Sequence, residues 1–89
     1  MKAGRKTVTL WLDEFIATFK PLLEPEQVLE LAHGYYEGSS MLVWLDTGPV
    51  EVSVGTDYVV IEQRDYARLV EEMRRLRASA RRGEKRKRS

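Results

Sequence analysis

Eighty-nine residues, 43% hydrophobic and 33% charged, describe one small globular domain with room for a single core. The lack of cysteine excludes a disulfide framework, a thiolate metal site and a cysteine nucleophile, and a single histidine excludes multi-histidine centres. The formal charge of +1 hides a division, because residues 1–63 carry four basic and ten acidic side chains, a net of −6, while residues 64–89 carry eleven basic and four acidic, a net of +7.

The first residues, Met1 to Lys6, lead into a strand-like alternation rather than a secretory hydrophobic region. No apolar run approaches the roughly 18 residues of a membrane span, so a cytoplasmic protein with no membrane partner is expected. In Thr7-Val8-Thr9-Leu10-Trp11-Leu12 the period of two puts Val8, Leu10 and Leu12 on one face of a strand. Asp13 reads as a helix N-cap. Phe15, Ile16, Phe19, Leu22 and Leu23 then form a helical stripe that Pro21 should break about a turn before its end. A second helix opens with Pro25 and Glu26, carries Val28, Leu31, Ala32 and Tyr35 on one stripe, and is capped by Gly34 with His33 in its last turn.

Three short apolar runs follow, Met41–Leu45, Val50–Val54 and Tyr58–Glu62. Their connections, Asp46-Thr47-Gly48-Pro49 and Gly55-Thr56-Asp57, are short and made of turn residues, which predicts an antiparallel meander. Val50-Glu51-Val52-Ser53-Val54 alternates strictly, so one face of this sheet is apolar and the other meets water or a partner. From Arg64 to about Arg82, a stripe of Tyr66, Leu69, Val70, Met73, Leu76 and Ala80 predicts a long amphipathic helix, with that stripe docked on the sheet. The expected fold is α+β: an N-terminal strand, two helices, a three-stranded antiparallel meander and a long C-terminal helix with a basic tail. Residues 1–82 form the domain and 83–89 a flexible tail with nothing apolar to bury.

The leading functional signal is the basic terminus. Arg74, Arg75, Arg77, Arg81, Arg82, Lys85, Arg86, Lys87 and Arg88 face a single acid, Glu84, over this stretch. A helix anchored through its apolar face and cationic outside can track phosphates and release their counterions, which gives affinity without sequence readout. The second signal is aromatic. Trp44 alternates against Met41, Val43 and Leu45, and Trp11 against Val8, Leu10 and Leu12, which predicts two rings side by side on the open sheet face. Such rings suit base stacking or a protein interface, most simply a homodimer.

His33 with Gly34-Tyr35-Tyr36 is explained by the helix C-terminus alone. Asp46 and Asp57 serve turns. No acid/base pair, phosphate loop, metal spacing or nucleophile elbow stands out, so neither an enzyme, a cofactor nor a metal is expected.

The stretch Tyr58-Val59-Val60-Ile61-Glu62-Gln63-Arg64-Asp65-Tyr66-Ala67-Arg68-Leu69, continuing through Glu71-Glu72-Met73-Arg74-Arg75-Leu76-Arg77, resembles the strand-then-helix part of the Phd/YefM antitoxin family. The resemblance covers about 20 of the 89 residues and implies a dimeric DNA-binding autorepressor that also wraps a toxin. The basic terminus departs from the mixed acidic and apolar tail such a toxin-wrapping segment carries. The order helix, three-stranded meander, helix over residues 13–82 is also shared with double-stranded-RNA-binding domains and with the small signal-recognition-particle proteins. Sequence alone thus leads to a small non-enzymatic nucleic-acid-binding protein, with DNA and RNA both open. The competing expectation is a protein-interaction module, antitoxin-like or an inhibitor of phage type, whose acidic body engages another protein.

Overall fold

The computed structural model describes residues 6–79 with their side chains and residues 80–88 by backbone. β1 (Thr7–Trp11) leads directly into α1 (Leu12–Phe19), followed by a 3₁₀ turn (Lys20–Leu22), α2 (Pro25–Ala32), β2 (Ser40–Leu45), β3 (Gly48–Val54), β4 (Tyr58–Glu62) and α3 (Gln63–Arg88). The fold is α+β. Its strands make one antiparallel sheet in the order β1-β4-β3-β2. The meander therefore gains a fourth strand, because β1 returns across most of the chain to pair with β4 from Thr7↔Glu62 to Trp11↔Tyr58. The expected tail, 83–89, lies outside the residues whose side chains are described.

Alternation divides the sheet into two unlike faces. Met41, Val43, Leu45, Val50, Val52, Val54, Val59 and Ile61 point inward and are buried against Phe15, Phe19, Leu23 and Leu31 of the helical layer and Leu69 and Met73 of α3. On β1 the inward pair, Val8 and Leu10, is only half-buried. The opposite face has no layer over it among the described residues: Trp11, Leu42, Trp44 and Tyr58 stand exposed there beside Thr9, Ser53 and Glu51.

Helix boundaries follow local chemistry, with three departures from the sequence expectation. Asp13 does not cap α1. The helix begins two residues earlier, at Leu12 with Trp11 as N-cap and the Leu12 amide donating to the Asp57 carbonyl at 2.9 Å, so Asp13 and Glu14 fall in the first turn, where the helix dipole favours acids. Pro21 ends the regular helix as predicted, within the 3₁₀ turn. α2 starts on a capping box of Glu24 and Gln27, in which the Glu24 amide donates to Gln27 Oε1 at 3.0 Å. Gly34, at φ 75°, closes it with paired bonds from Gly34 N to the Leu31 carbonyl (3.1 Å) and from Tyr35 N to the Glu30 carbonyl (2.9 Å). That turn throws Tyr35 outward to 74% exposure, so it leaves the stripe the sequence assigns to it, and Tyr36 packs on the core instead. In α3, Leu69 and Met73 are buried and Val70 half-buried, but Leu76 is 40% exposed, because the core no longer covers the apolar stripe at that point.

β3 outlasts β4. The ladder between them holds only Ser53↔Val60 and Val54↔Val59, while β3 stays paired with β2 as far as Leu45↔Gly48. Pro49 lies in the stretch with no β4 partner, which is where a strand can do without an amide donor. Arg68 of α3 takes the place of the missing strand. Its guanidinium donates to the carbonyls of Gly48 (2.9 Å) and Pro49 (3.3 Å) and to Thr47 Oγ1 (3.1 Å), and is held from behind by Asp65 at 3.2 Å. The fixed fork of donors lets one side chain serve several acceptors of the β2–β3 turn at once.

Candidate functional site

The cationic surface is built by the way α3 leaves the body. Up to Met73 the helix has an apolar side to bury; from Arg74 through Ser79 every side chain is exposed. Arg74 sits 3.7 Å from Glu71, and Arg75 sits 3.7 Å from Asp46 and 3.8 Å from Glu72. Arg74–Glu71 and Arg75–Asp46 are loose pairs between largely solvated groups, and pairs of that kind hold a side chain in place only weakly, by about 0–1 kcal/mol, while the Glu72 carboxylate beside Arg75 is mostly covered. The Arg74 guanidinium is therefore available to a stronger anion. Arg77 has no close acid of this kind among the described residues and, with Arg74, rims a shallow groove between α1 and α3 floored by Phe19, Tyr66, Val70 and Met73. Arg81, Arg82, Lys85, Arg86, Lys87 and Arg88 lie outside the described side chains. Of the nine basic residues singled out from sequence, three are thus placed, and all three are exposed.

The aromatic surface is built by alternation on the two edge strands. Trp11 (66% exposed) and Trp44 (69%) lie on the open face as the pattern predicts. They are not side by side, however. Trp11 pairs with Tyr58 at one end of β1, and Trp44 pairs with Pro49 at the far end of β2, so the rings occupy opposite corners of the sheet. With strands about 4.8 Å apart and about 6.8 Å between residues on one face, the corners are roughly 25 Å from each other. Strand order, which local alternation does not contain, separates them. Between the corners lie Leu42, Val60 and Ser53 and the carboxylates of Glu51 and Glu62. Acids in the middle of this face make it a poor companion for phosphate, and a better one for a protein surface with apolar and basic groups.

The Tyr35–Tyr36 corner after α2 is held by geometry rather than chemistry. The two rings meet edge-on at 6.0 Å, and the Tyr36 hydroxyl donates to Glu30 Oε1 at 2.5 Å. That hydrogen bond, reinforced by burial and by the negative charge of Glu30, pushes the Tyr36 pKa up to about 12. His33 stands exposed at the C-cap of α2.

Sequence reasoning missed Arg68 and Gln27. The second of these caps α2 and also donates from Nε2 to the Leu42 carbonyl at 2.8 Å, pinning the outer edge of β2. The one available signal was the capping-box spacing from Glu24 to Gln27; the long-range partners of both residues depend on the tertiary arrangement. Among the described residues no helix is long and apolar enough to cross a membrane, and no group of three or more histidine, aspartate or glutamate side chains is arranged to hold a metal ion. Comparison with protein-family models, with curated proteins and with solved structures gave no match to this chain.

Proposed function

We propose that this protein binds nucleic acid through the outer part of α3, by contact with the phosphate backbone. One observation carries the reading: the helix is anchored by Leu69 and Met73 and then continues with every described side chain exposed, Arg74, Arg75 and Arg77 among them. A helix that had only to complete the core would end where its burial ends. The basic residues at 74, 77, 81, 85 and 88 recur at three and four residues, the repeat of one helical stripe. Such a stripe follows a row of phosphates and specifies no sequence, so DNA and RNA are alike to it.

Salt tests this directly. Ending the chain after Ser79 removes six basic side chains and leaves Leu69 and Met73 untouched. If each of the six neutralises one phosphate of a duplex, the slope of log K against log salt becomes shallower by about 5. Equal slopes for the full and shortened chains, on both duplex and single-stranded probes, would refute the proposal.

A second reading is supported by the open sheet face. Four large apolar side chains exposed around two carboxylates suit a protein partner with apolar and basic groups, as in the antitoxin-like or inhibitor alternative. Trp44→Ala separates the two: it weakens a protein partner and leaves the salt slope on nucleic acid unchanged.

A further inference from the structure

We infer that β1 is a dimerisation edge, on which a second copy of this chain adds its own β1 antiparallel, about a two-fold axis at Thr9, to make one eight-stranded sheet. The inference does not depend on nucleic-acid binding.

Three features of the edge point the same way. The first is the state of its backbone. The bonds from Leu12 N to the Asp57 carbonyl (2.9 Å) and from Gln63 N to the Lys6 carbonyl (2.8 Å) fix the phase of the β1–β4 ladder, so even-numbered residues bond to β4. The amides and carbonyls of Thr7, Thr9 and Trp11 therefore face outward, and no described strand pairs with them. Natural edges are usually blunted by proline, a bulge, a charge or a covering side chain. β2, the other edge, has Gln27 stitched across it, whereas β1 is regular and uncharged from Thr7 to Trp11.

The second feature is burial. Inward side chains on β2, β3 and β4 are buried without exception, but Val8 and Leu10 on β1 are only half-covered. A two-fold axis at Thr9 sets Val8 of one copy against Leu10 of the other, so each apolar residue finishes the other's burial. The third feature is charge, and it selects antiparallel pairing and a second copy over an unrelated strand. Lys6 stands at the start of β1, with Arg5 before it in the sequence, and the exposed acids Asp13 and Glu14 follow its end. Antiparallel pairing of two copies brings the basic end of each strand to the acidic end of the other, whereas parallel pairing would oppose like charges.

The axis makes a sharp test, because position 9 faces only itself. Light scattering on the full chain should give about twice the monomer mass of 10.3 kDa at sufficient concentration. Thr9→Glu and Thr9→Lys should each weaken the dimer at least about tenfold when alone and recover it when mixed. Thr9→Pro, which removes an outward amide and no ladder bond, should give a folded monomer by circular dichroism. The register is read in the cysteine-free chain: Thr9→Cys should oxidise to a covalent dimer by itself, and Thr7→Cys only when mixed with Trp11→Cys. A monomer at every concentration overturns the inference. So does a dimer that Thr9→Glu, Thr9→Lys and Thr9→Pro leave equally tight, or a charged pair whose mixing restores nothing.

Discussion

Leu69 and Leu76 lie on one stripe of α3, seven residues apart, and sequence periodicity treats them alike; the structure does not. Leu69 is fully buried in the common core and Leu76 is 40% exposed where the helix leaves the body. Leu69→Ala removes three buried carbons, worth about 2.4 kcal/mol in transfer alone, and the unfilled space raises the cost to about 3–4 kcal/mol. At Leu76 the lost contacts are partial and alanine favours the helix, so the same change should cost less than about 1 kcal/mol. A domain of this size has roughly 4–13 kcal/mol of stability in total, so the first substitution removes a large share of it. Melting followed by circular dichroism should fall by about 12–25 °C for Leu69→Ala and by no more than about 6 °C for Leu76→Ala. Urea unfolding should report the same difference in midpoint at unchanged slope. Equal losses at the two positions would mean that the helix packs along its whole apolar stripe, and the argument that its outer part is free for a ligand would fail with it.

Arg68→Ala should destabilise by about 1–2 kcal/mol, since three acceptors of the β2–β3 turn lose a shared donor but can be rehydrated. Arg68→Lys should recover little of this, because a point charge cannot span the row; hydrogen exchange at the turn will read both. Tyr36→Phe should abolish the tyrosinate absorbance step near pH 12. The sign of its effect on stability follows from linkage: the folded-state pKa is raised, so the contribution is complete below the unfolded value of about 10 and is lost as pH rises from there to about 12. Wild type and Tyr36→Phe should therefore converge in stability above pH 12, and a constant gap across that window would contradict the assignment.

What the sequence made legible was whatever a period or a turn encodes. Met41, Val43 and Leu45 against Trp44, and Val50, Val52 and Val54 against Glu51 and Ser53, lie on the faces their alternation requires. Pro21, Pro25 and Gly34 sit where their backbone restrictions place them. The failures are equally physical. Tyr35 matches the stripe of α2 by spacing, but the positive φ of Gly34 ends the helix first. Trp11 and Trp44 share a face by alternation and are still far apart, because strand order is decided by a pairing between residues about fifty positions apart. Arg68 looks in sequence like one more cation of a basic helix, and only the short β4 turns it into a structural residue rather than one available to a ligand.

The absence of any connecting residue at two strand-to-helix junctions has a mechanical consequence. Trp11 passes into Leu12 and Glu62 into Gln63 with no loop between them, and the first amide of each helix is itself a rung of the β1–β4 ladder. A helix joined in this way cannot turn about its own axis without breaking that rung. The azimuth of every residue along α3 is thereby set by the sheet, at about 100° per residue counted from Gln63. Arg74 and Arg77 keep their direction from the Gln63–Lys6 rung and the buried Leu69 and Met73 together, and one residue inserted between Met73 and Arg74 would swing both guanidiniums about 100° around the helix while leaving their number and charge the same. The direction in which this protein presents its charge is thus set by the sheet junction and the core beneath it, about one to three turns of helix before the charges themselves.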